Sequence, residues 1–598
     1  MKWFLMNRGQ EAKKIYEKTG WHPLLCLLLA NRDIAENDWN SYFHPSIEAL
    51  PDPFLFQQME GVVSYLSDCL QGGIPIRVVG DYDQDGVAAT TILVKGLRYF
   101  AKKLGVDPFH AVSYAIPDRM ADGYGLNCRL VDQALEEGCG LIITCDNGIA
   151  AFEALEYAGQ QGIPVIVTDH HQMVKEGDVE KLPPCELFLN PHAEGSGYPF
   201  ADLCGAGVAF KVISALAMYF RDSEAPLLDL LQFAALGTIC DVVPLTGENR
   251  MIVSLGLREL NRTQNPGLQA LLEVNHWDRE VTVYTAGFVI GPCINASGRL
   301  FTANLGVELF LEENPETLQE YGRELYRLNE ERKAMTRQGV EDAENAITAW
   351  EKLPPLLMLY LPEVHESICG LIAGRLKQHY FRPSLVFTDA AQEGDESERP
   401  ALIKGSGRSI PAYNMFQKLN VHREEYESFG GHAMACGMTL AKEKFEPIRQ
   451  QLVEEAKLNA EDLMPTLTID AKVSLPQIDR AVMKLVEGLA PYGQSNPKPL
   501  FAALGCNLLS ARLVGANRTV LQMMVEQNGA RYQAVYFGWD QKQGEWEDRG
   551  EEELLSRFFS PDGGGIKLDL AYFPEWNEFR GNRRIQLKLE DFRPSPSL

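Results

Sequence analysis

The chain reads as an α/β protein: a doubly wound parallel sheet domain, a smaller α/β unit joined to it by a long helix, and a C-terminal β-barrel. Three observations predict this. Apolar strand-like runs alternate with helix-like stretches over the first half. One long charged stretch, bounded by prolines, then separates that half from a shorter repeat of the same alternation. Beyond it the pattern changes to short alternating runs joined by Asn- and Gly-rich turns, as in a small barrel.

Taken in order, residues 1–50 hold a short helical stretch and the turn-like His44-Pro45-Ser46, a lead-in expected to pack on the first domain. Residues 51–313 carry the strand–helix alternation, with Ile74 to Val79, Leu141 to Cys145 and Pro164 to Thr168 as central strands. In 314–353, Asn314 supplies a cap and Pro315 the first helical position. Leu318, Leu325, Leu328, Met335, Ala343, Ile347 and Trp350 give that connecting helix an interrupted apolar stripe, and Pro354-Pro355 stops it. Residues 354–462 open with the strand Leu356 to Leu361 and continue through a helix at Ile368 to Tyr380. In 463–598, strands are expected at Leu500 to Val514, Val520 to Gln527, Tyr532 to Gly538, Ile566 to Phe573 and Arg584 to Leu589.

The chemistry is concentrated at strand ends. Asp81-Tyr82-Asp83-Gln84-Asp85-Gly86 follows the first apolar run directly. Side chains alternate along an extended segment, so Asp81, Asp83 and Asp85 fall on one face, and clustered oxygens are what Mg²⁺ or Mn²⁺ require. A helix–loop–helix calcium site is excluded: the motif follows a strand, and the Glu expected six residues after the glycine is Ile92. A solitary motif of this kind serves a turn as readily as a metal.

Three further segments change that balance. One apolar run ends in Asp146-Asn147-Gly148, another in Asp169-His170-His171, and Asp241 interrupts the apolar Leu236 to Leu245. In an open parallel sheet, ligands bind beyond the carboxyl ends of the strands, so groups distant in sequence converge there. A charge inside an apolar stretch is costly unless paired or metal-bound. Asp146 also suits a helix N-cap, and a single histidine on an apolar flank more often belongs to the core. The paired histidines after Asp169 argue against that second reading, and an imidazole among carboxylates tilts the choice from Mg²⁺ towards Mn²⁺.

Composition bounds the remainder. The 598 residues are 45% hydrophobic, enough for several globular domains. The twelve cysteines are scattered without a C-x-x-C pair, which reads as reduced, buried thiols and a cytoplasmic location. No export signal or membrane span is apparent. The net charge of −26 excludes a broadly basic surface, so nucleic acid would have to bind through local Arg and Lys clusters and base stacking. Tyr532, Tyr536, Phe537, Trp539, Trp576 and Phe579, with Arg580, Arg583 and Arg584, offer such a combination, although inward aromatics also build barrel cores.

The set G-D-Y-D-Q-D-G, C-D-N-G, T-D-H-H and C-D-V-V-P-L resembles the DHH phosphoesterase superfamily, named for a triplet such as Asp169-His170-His171. Ile116-Pro117-Asp118-Arg119, Asp122-Gly123-Tyr124-Gly125-Leu126, Cys204 to Ala209, Gly291 to Arg299, Gly405 to Ser409, Gly430 to Ala433 and Pro491 to Pro499 narrow the resemblance to its single-strand-specific 5′→3′ DNA exonucleases. That resemblance runs from about Pro51 nearly to the C-terminus. It implies a DHH domain, a DHH-associated (DHHA1) domain and an OB-fold, and two-metal phosphodiester hydrolysis in DNA repair and recombination with Mn²⁺ or Mg²⁺. It implies Asp81, Asp83, Asp146, His170 and Asp241 as metal ligands, with Asp146 bridging, and leaves Asp85 between ligand and supporting carboxylate. His171 is implied at the scissile phosphate, and Arg119, Arg299, Ser406 and Arg408 on substrate phosphates, the 5′ end included. His432 follows two glycines and is either at the cleft or a turn histidine. A monomer acting on single-stranded DNA is expected, with a helicase and a single-strand-binding protein as candidate partners. The other readings are a DHH phosphodiesterase for oligoribonucleotides or cyclic dinucleotides, and a non-catalytic replication scaffold.

Overall fold

The computed structural model describes residues 1–118, 122–390, 401–515, 518–548, 550–561, 563–579 and 581–596. They form two compact units, one of Ser46–Met464 and the other of Met1–Pro45 with Pro465–Leu598.

The larger unit is built on five parallel strands: β1 (Ile76–Val79), β2 (Val112–Ala115), β3 (Leu141–Cys145), β4 (Val165–Thr168) and β5 (Leu187–Leu189). Their spatial order is β2-β1-β3-β4-β5, so the direction of winding reverses between β1 and β3. Strands β1, β3 and β4 are entirely buried, which is why they read as unbroken apolar runs rather than alternating ones. Helices α1 (Gln84–Lys103), α2 (Gly205–Tyr219) and α3 (Leu227–Cys240) share one apolar core with this sheet. Helix α3 is apolar almost all round and is correspondingly buried. It corrects one expectation: Asp241 stands at the C-terminus of a helix, not at a strand end. An apolar run of that length does not by itself separate a buried helix from a buried strand.

Helix α4 (Gly291–Leu300) leads to α5 (Pro315–Thr348), where Asn314 Oδ1 accepts from the N–H groups of Glu316 and Thr317 as the sequence led one to expect. The smaller sheet follows: β6 (Leu357–Tyr360), β7 (Ser384–Asp389), β8 (Leu402–Arg408), β9 (Ser428–His432) and β10 (Ala435–Ala441), ordered β9-β10-β8-β7-β6, with α6 (Cys369–Tyr380) between β6 and β7. Only the β6–β7 pair is parallel.

The other unit is a ring of strands: β11 (Ala471–Lys472), β12 (Phe501–Val514), β13 (Val520–Gln527), β14 (Ala530–Phe537), β15 (Lys567–Phe579) and β16 (Asn582–Pro594), closed by pairing of β12 with β15. Two helices, Trp539–Asp548 and Glu552–Phe558, intervene between β14 and β15 and went unforeseen. The first 45 residues join this unit rather than the first domain, against expectation. Lys2–Leu5 pairs in parallel with Thr466–Ile469, Leu28, Leu29 and Tyr42 enter the barrel core, and Arg32 meets Asp470 at 3.2 Å in a buried ion pair. No described helix is long and apolar enough to cross a membrane.

Candidate metal centre and phosphate pocket

The carboxyl ends of β1, β3 and β4 bring their acidic loops together at the point where the winding reverses, the place an open sheet leaves for a ligand. Asp81, in the loop after β1, is buried. Asp83 caps α1, its Oδ1 accepting from the N–H groups of Asp85 at 2.8 Å and Gly86 at 3.1 Å. Asp85 lies within the first turn of α1, so the three aspartates leave the strand through a cap and a helix rather than on one extended face. Its carboxylate receives the N–H groups of Gly205 at 2.7 Å and Ala206 at 3.0 Å, tying it to the start of α2.

Asp146 follows β3 in the left-handed region, at φ 61°, uncommon for a residue other than glycine. A side chain at Gly205 would drive its Cβ into the Asp146 side chain, and one at Gly237 would collide with Asp85 Oδ1. Both glycines are therefore required for α2 and α3 to close on the carboxylates. Val242, just past Asp241, is also left-handed at φ 61°, a strained conformation for a β-branched residue.

Three overlapping groups have ligand atoms within 4.8 Å of one another: Asp81, Asp83 and Asp146; Asp146, His170 and His171; and Asp85, His170 and Asp241. Asp146 and His170 each belong to two of them. His170 Nε2 is 3.0 Å from Asp146 Oδ1, 3.7 Å from Asp85 Oδ2 and 3.8 Å from Asp241 Oδ2. Burial lowers the pKa of His170 despite these carboxylates, favouring the neutral imidazole that a metal needs. Burial raises Asp146 well above the ordinary carboxylate value, and Asp85, Asp83, Asp81 and Asp241 push it further. Asp241 is pushed up to about 8, by burial first and then by Asp85 and Asp83. Asp146 Oδ1 is buried without a well-directed hydrogen bond. Carboxylates that raise one another's pKa, only partly offset by His171, fit a divalent ion with oxygen ligands and one imidazole.

His171 is organised differently. Asp169, fully buried, accepts from the N–H groups of His170, His171 and Ile149 and meets His171 Nδ1 at 2.7 Å. Burial alone would lower the His171 pKa, but the Asp169 contact outweighs it and brings the group up to about 9. Tyr124 donates from its hydroxyl to the Asp146 carbonyl at 2.8 Å and lies 3.3 Å from the His171 ring nitrogens. Asp169 and Tyr124 both stand in the sequence motifs, but the sequence alone assigned neither a role. Their adjacency to recognised motifs was the available signal.

A second site lies within the same unit. Residues 404, 406 and 408 alternate along β8, and Lys404, Ser406 and Arg408 line one cavity of about 200 Å³ with Arg299 and Gly370. Arg408 is largely desolvated, which lowers its pKa, and it donates to Ser406 Oγ at 3.2 Å and the Gly407 carbonyl at 2.8 Å. Arg299 donates to the Ser367 carbonyl at 2.7 Å. A Cβ at Gly370 would meet Ser406 Oγ at 2.8 Å and Arg408 Nη2 at 2.9 Å. The pocket thus gathers two guanidinium groups suited to a phosphate. His432 is not among its lining residues: its exposed imidazole accepts from the Met434 N–H at 3.3 Å on the edge strand β9. Arg119 lies outside the described residues.

In the barrel unit, Trp539 and Tyr536 are buried core, whereas Phe537 is exposed. Arg480, Arg512, Arg531, Trp576, Arg583 and Arg584 line a groove of about 1070 Å³, with the Arg583 guanidinium 4.4 Å from the Trp576 ring centre. Tyr532 also lines it, its hydroxyl donating to the Ile478 carbonyl at 2.5 Å. The Phe579 side chain and Arg580 lie outside what is described.

The parallel sheet with acidic strand ends, the smaller sheet and the barrel define a three-domain member of the DHH family. Family models match as the DHH family N-terminal domain over residues 75–238, the DHHA1 domain over 354–458 and the RecJ OB domain over 469–591. The single-stranded-DNA-specific exonuclease RecJ of Salmonella typhimurium is 36% identical over 569 residues, covering 90% of this chain and 91% of the relative. Among solved structures, RecJ from Thermus thermophilus in complex with Mn²⁺ superposes with a TM-score of 0.78 at 25% identity, covering 100% of this chain and 80% of that one. The Mg²⁺ complex from that organism gives 0.71 at 23% identity, covering 100% and 79%, and bears on the fold alone. The chain belongs to the RecJ family.

Proposed function

We propose that this chain is a metal-dependent exonuclease that removes nucleotides from the 5′ end of single-stranded DNA, in repair and recombination. The observation that carries the reading is the pairing, within one compact unit, of a buried carboxylate cluster with the pocket of Arg299, Ser406 and Arg408. Helix α4 links them: Asn295 Oδ1 accepts from the Gln84 N–H at 2.7 Å, and Arg299 on the same helix lines the pocket. The likeness to relatives named as single-stranded-DNA-specific exonucleases, and to a RecJ structure holding Mn²⁺, supports the substrate and the metal.

Asp81, Asp83 and Asp146 would hold one divalent ion, Mn²⁺ or Mg²⁺, and Asp146, His170 and Asp241 a second, with Asp146 shared. Bound there, such ions supply Lewis acidity towards the phosphodiester and lower the pKa of a coordinated water. Asp85 orients the cluster by fixing α2 against α1, and a second role as a ligand to the His170–Asp241 ion is within its reach. His171, kept protonated by Asp169, would donate to the scissile phosphate, and Tyr124 holds the Asp146 backbone. Arg299, Ser406 and Arg408 would take the 5′-terminal phosphate. The groove at Trp576 and Arg583 would carry the strand by stacking and phosphate contacts. A helicase and a single-strand-binding protein are the partner classes that a repair role implies.

The direct test offers a labelled 5′-phosphorylated single strand, the matching duplex and a cyclic dinucleotide with Mn²⁺. Mononucleotide release from the single strand alone is expected; preferential cleavage of the cyclic dinucleotide would overturn the reading.

A further inference from the structure

The phosphate pocket holds a group that a site built only for affinity would leave out. Among the described residues that line it, Arg299, Lys404 and Arg408 are cationic and Glu366 is acidic. The Glu366 side chain is only 12% exposed, and its Oε1 meets Lys404 Nζ at 3.0 Å. Glu366 opens the single turn Glu366–Ile368, which His365 caps by accepting from the Ser367 N–H at 3.2 Å. The next residue, Ser367, offers the carbonyl that Arg299 reaches at 2.7 Å. One short turn thus engages two of the pocket's three cations and adds a carboxylate to its wall.

The balance of charge gives that carboxylate a purpose. Three cations less one anion leave these lining residues at +2. A terminal phosphomonoester carries about −1.5 to −2 at neutral pH, which that excess matches. A hydroxyl end offers nothing to it, and a 5′-triphosphate brings more negative charge than it can balance. Space is as restrictive as charge. The cavity of about 200 Å³ is smaller than the roughly 300 Å³ at which ligand pockets usually begin. At Gly370 one wall is so close that a Cβ would meet Ser406 Oγ at 2.8 Å and Arg408 Nη2 at 2.9 Å. Further phosphates would crowd against Glu366, and Lys404 is already engaged by it.

We propose that Glu366 is a specificity-determining residue, one that sets the pocket for a 5′-monophosphate and turns away 5′-polyphosphate ends. Specificity of this kind comes from an unfavourable element set against the wrong ligand, and a like charge is the simplest such element. The proposal rests on the function argued above and goes beyond it: the two arginines and Ser406 explain why a phosphate is held, but not why only one. A strand that begins with a triphosphate becomes a substrate only after water cleaves its phosphoanhydride, releasing pyrophosphate and leaving the monophosphate.

The test uses the full chain and single strands of one sequence that end in a 5′-hydroxyl, a 5′-monophosphate or a 5′-triphosphate. Binding is read without divalent ion, because a triphosphate chelates metal, and nucleotide release is then followed with Mn²⁺. The wild type should bind the monophosphate strand at least about tenfold more tightly than the triphosphate strand, the scale of one close like-charge contact. Glu366→Gln keeps the shape of the side chain and removes its charge. It should strengthen triphosphate binding most and bring the ratio close to one, with cleavage of the triphosphate strand rising in step. A wild type that binds the two ends equally would overturn the proposal, as would an unchanged ratio in a Glu366→Gln protein that melts normally. Were Glu366 only an anchor for Lys404, Glu366→Gln and Lys404→Ala would weaken monophosphate binding alike and leave the ratio as it was, which also overturns it. Arg408→Ala separates these failures from a failure of the underlying reading. If it leaves the preference for a monophosphate over a hydroxyl intact, the phosphate pocket itself is misassigned; if that preference falls while Glu366→Gln leaves the ratio unchanged, only the role of Glu366 is wrong.

Discussion

Two sets of buried carboxylates in the larger unit show opposite ways of placing charge inside a protein. Glu248 is as inaccessible as Asp85, but Lys211 contacts one of its oxygens and Tyr198 donates to the other at 2.7 Å, while Lys211 also donates to the Pro51 carbonyl at 2.8 Å. Burial raises the Glu248 pKa and lowers that of Lys211, and each partner opposes the other's shift. At the strand ends, by contrast, Asp146 has four carboxylate neighbours that all push its pKa the same way as burial does. Asp85, Asp146 and Asp241 all approach one imidazole, whose pKa burial lowers. A carboxylate compensated within the protein fixes structure. A cluster left with excess negative charge, on a backbone strained at Asp146 and Val242, is arranged for a ligand.

Substitutions should separate the two sets. Asp146→Ala is expected to reduce hydrolysis to background while the metal-free protein melts no lower than wild type, since the change relieves repulsion. Residual Mn²⁺-dependent cleavage near the wild-type rate would break the contrast. Glu248→Ala should do the reverse. Leaving Lys211 buried without its partner costs about 3–5 kcal/mol, read by denaturant unfolding, with activity per folded molecule retained.

Asp85→Ala tests the residue that shares both characters. Orphaning the N–H groups of Gly205 and Ala206 should cost about 1–3 kcal/mol, and hydrolysis should fall as well. Loss of stability alone would make it purely structural. The same contrast extends to pH dependence. Asp241 has a folded-state pKa raised from 3.8 to about 8, so the metal-free fold is favoured when this group is protonated, and that contribution is lost as pH rises towards about 8. The melting temperature of metal-free protein should therefore drop over that range, and Mn²⁺ should raise it more at the alkaline end. A pH-independent gain would count against Asp241 as a ligand.

The sequence revealed the cluster because parallel strands buried on both faces are continuous apolar runs, and an acidic residue ending such a run is conspicuous. Asp81, Asp146 and His170 were legible for that reason. Asp241 was legible as a charge but not as a helix end, since α3 is apolar all round and carries no periodicity to distinguish it from a strand. Asp85 could not be resolved from spacing, because its partners are backbone N–H groups some 120 positions away. The docking of the first 45 residues on the barrel depends on a strand pair joining residues 2–5 to 466–469, a contact no local pattern announces.

Mn²⁺ titration followed by electron paramagnetic resonance tests most directly whether Asp146 is shared by two divalent ions. The wild type should bind two ions with the spin coupling of a pair bridged by a common ligand, and Asp146→Ala should lose that coupling together with affinity at both sites. Two uncoupled ions in the wild type, or an Asp146→Ala protein that retains the coupled pair, would contradict it.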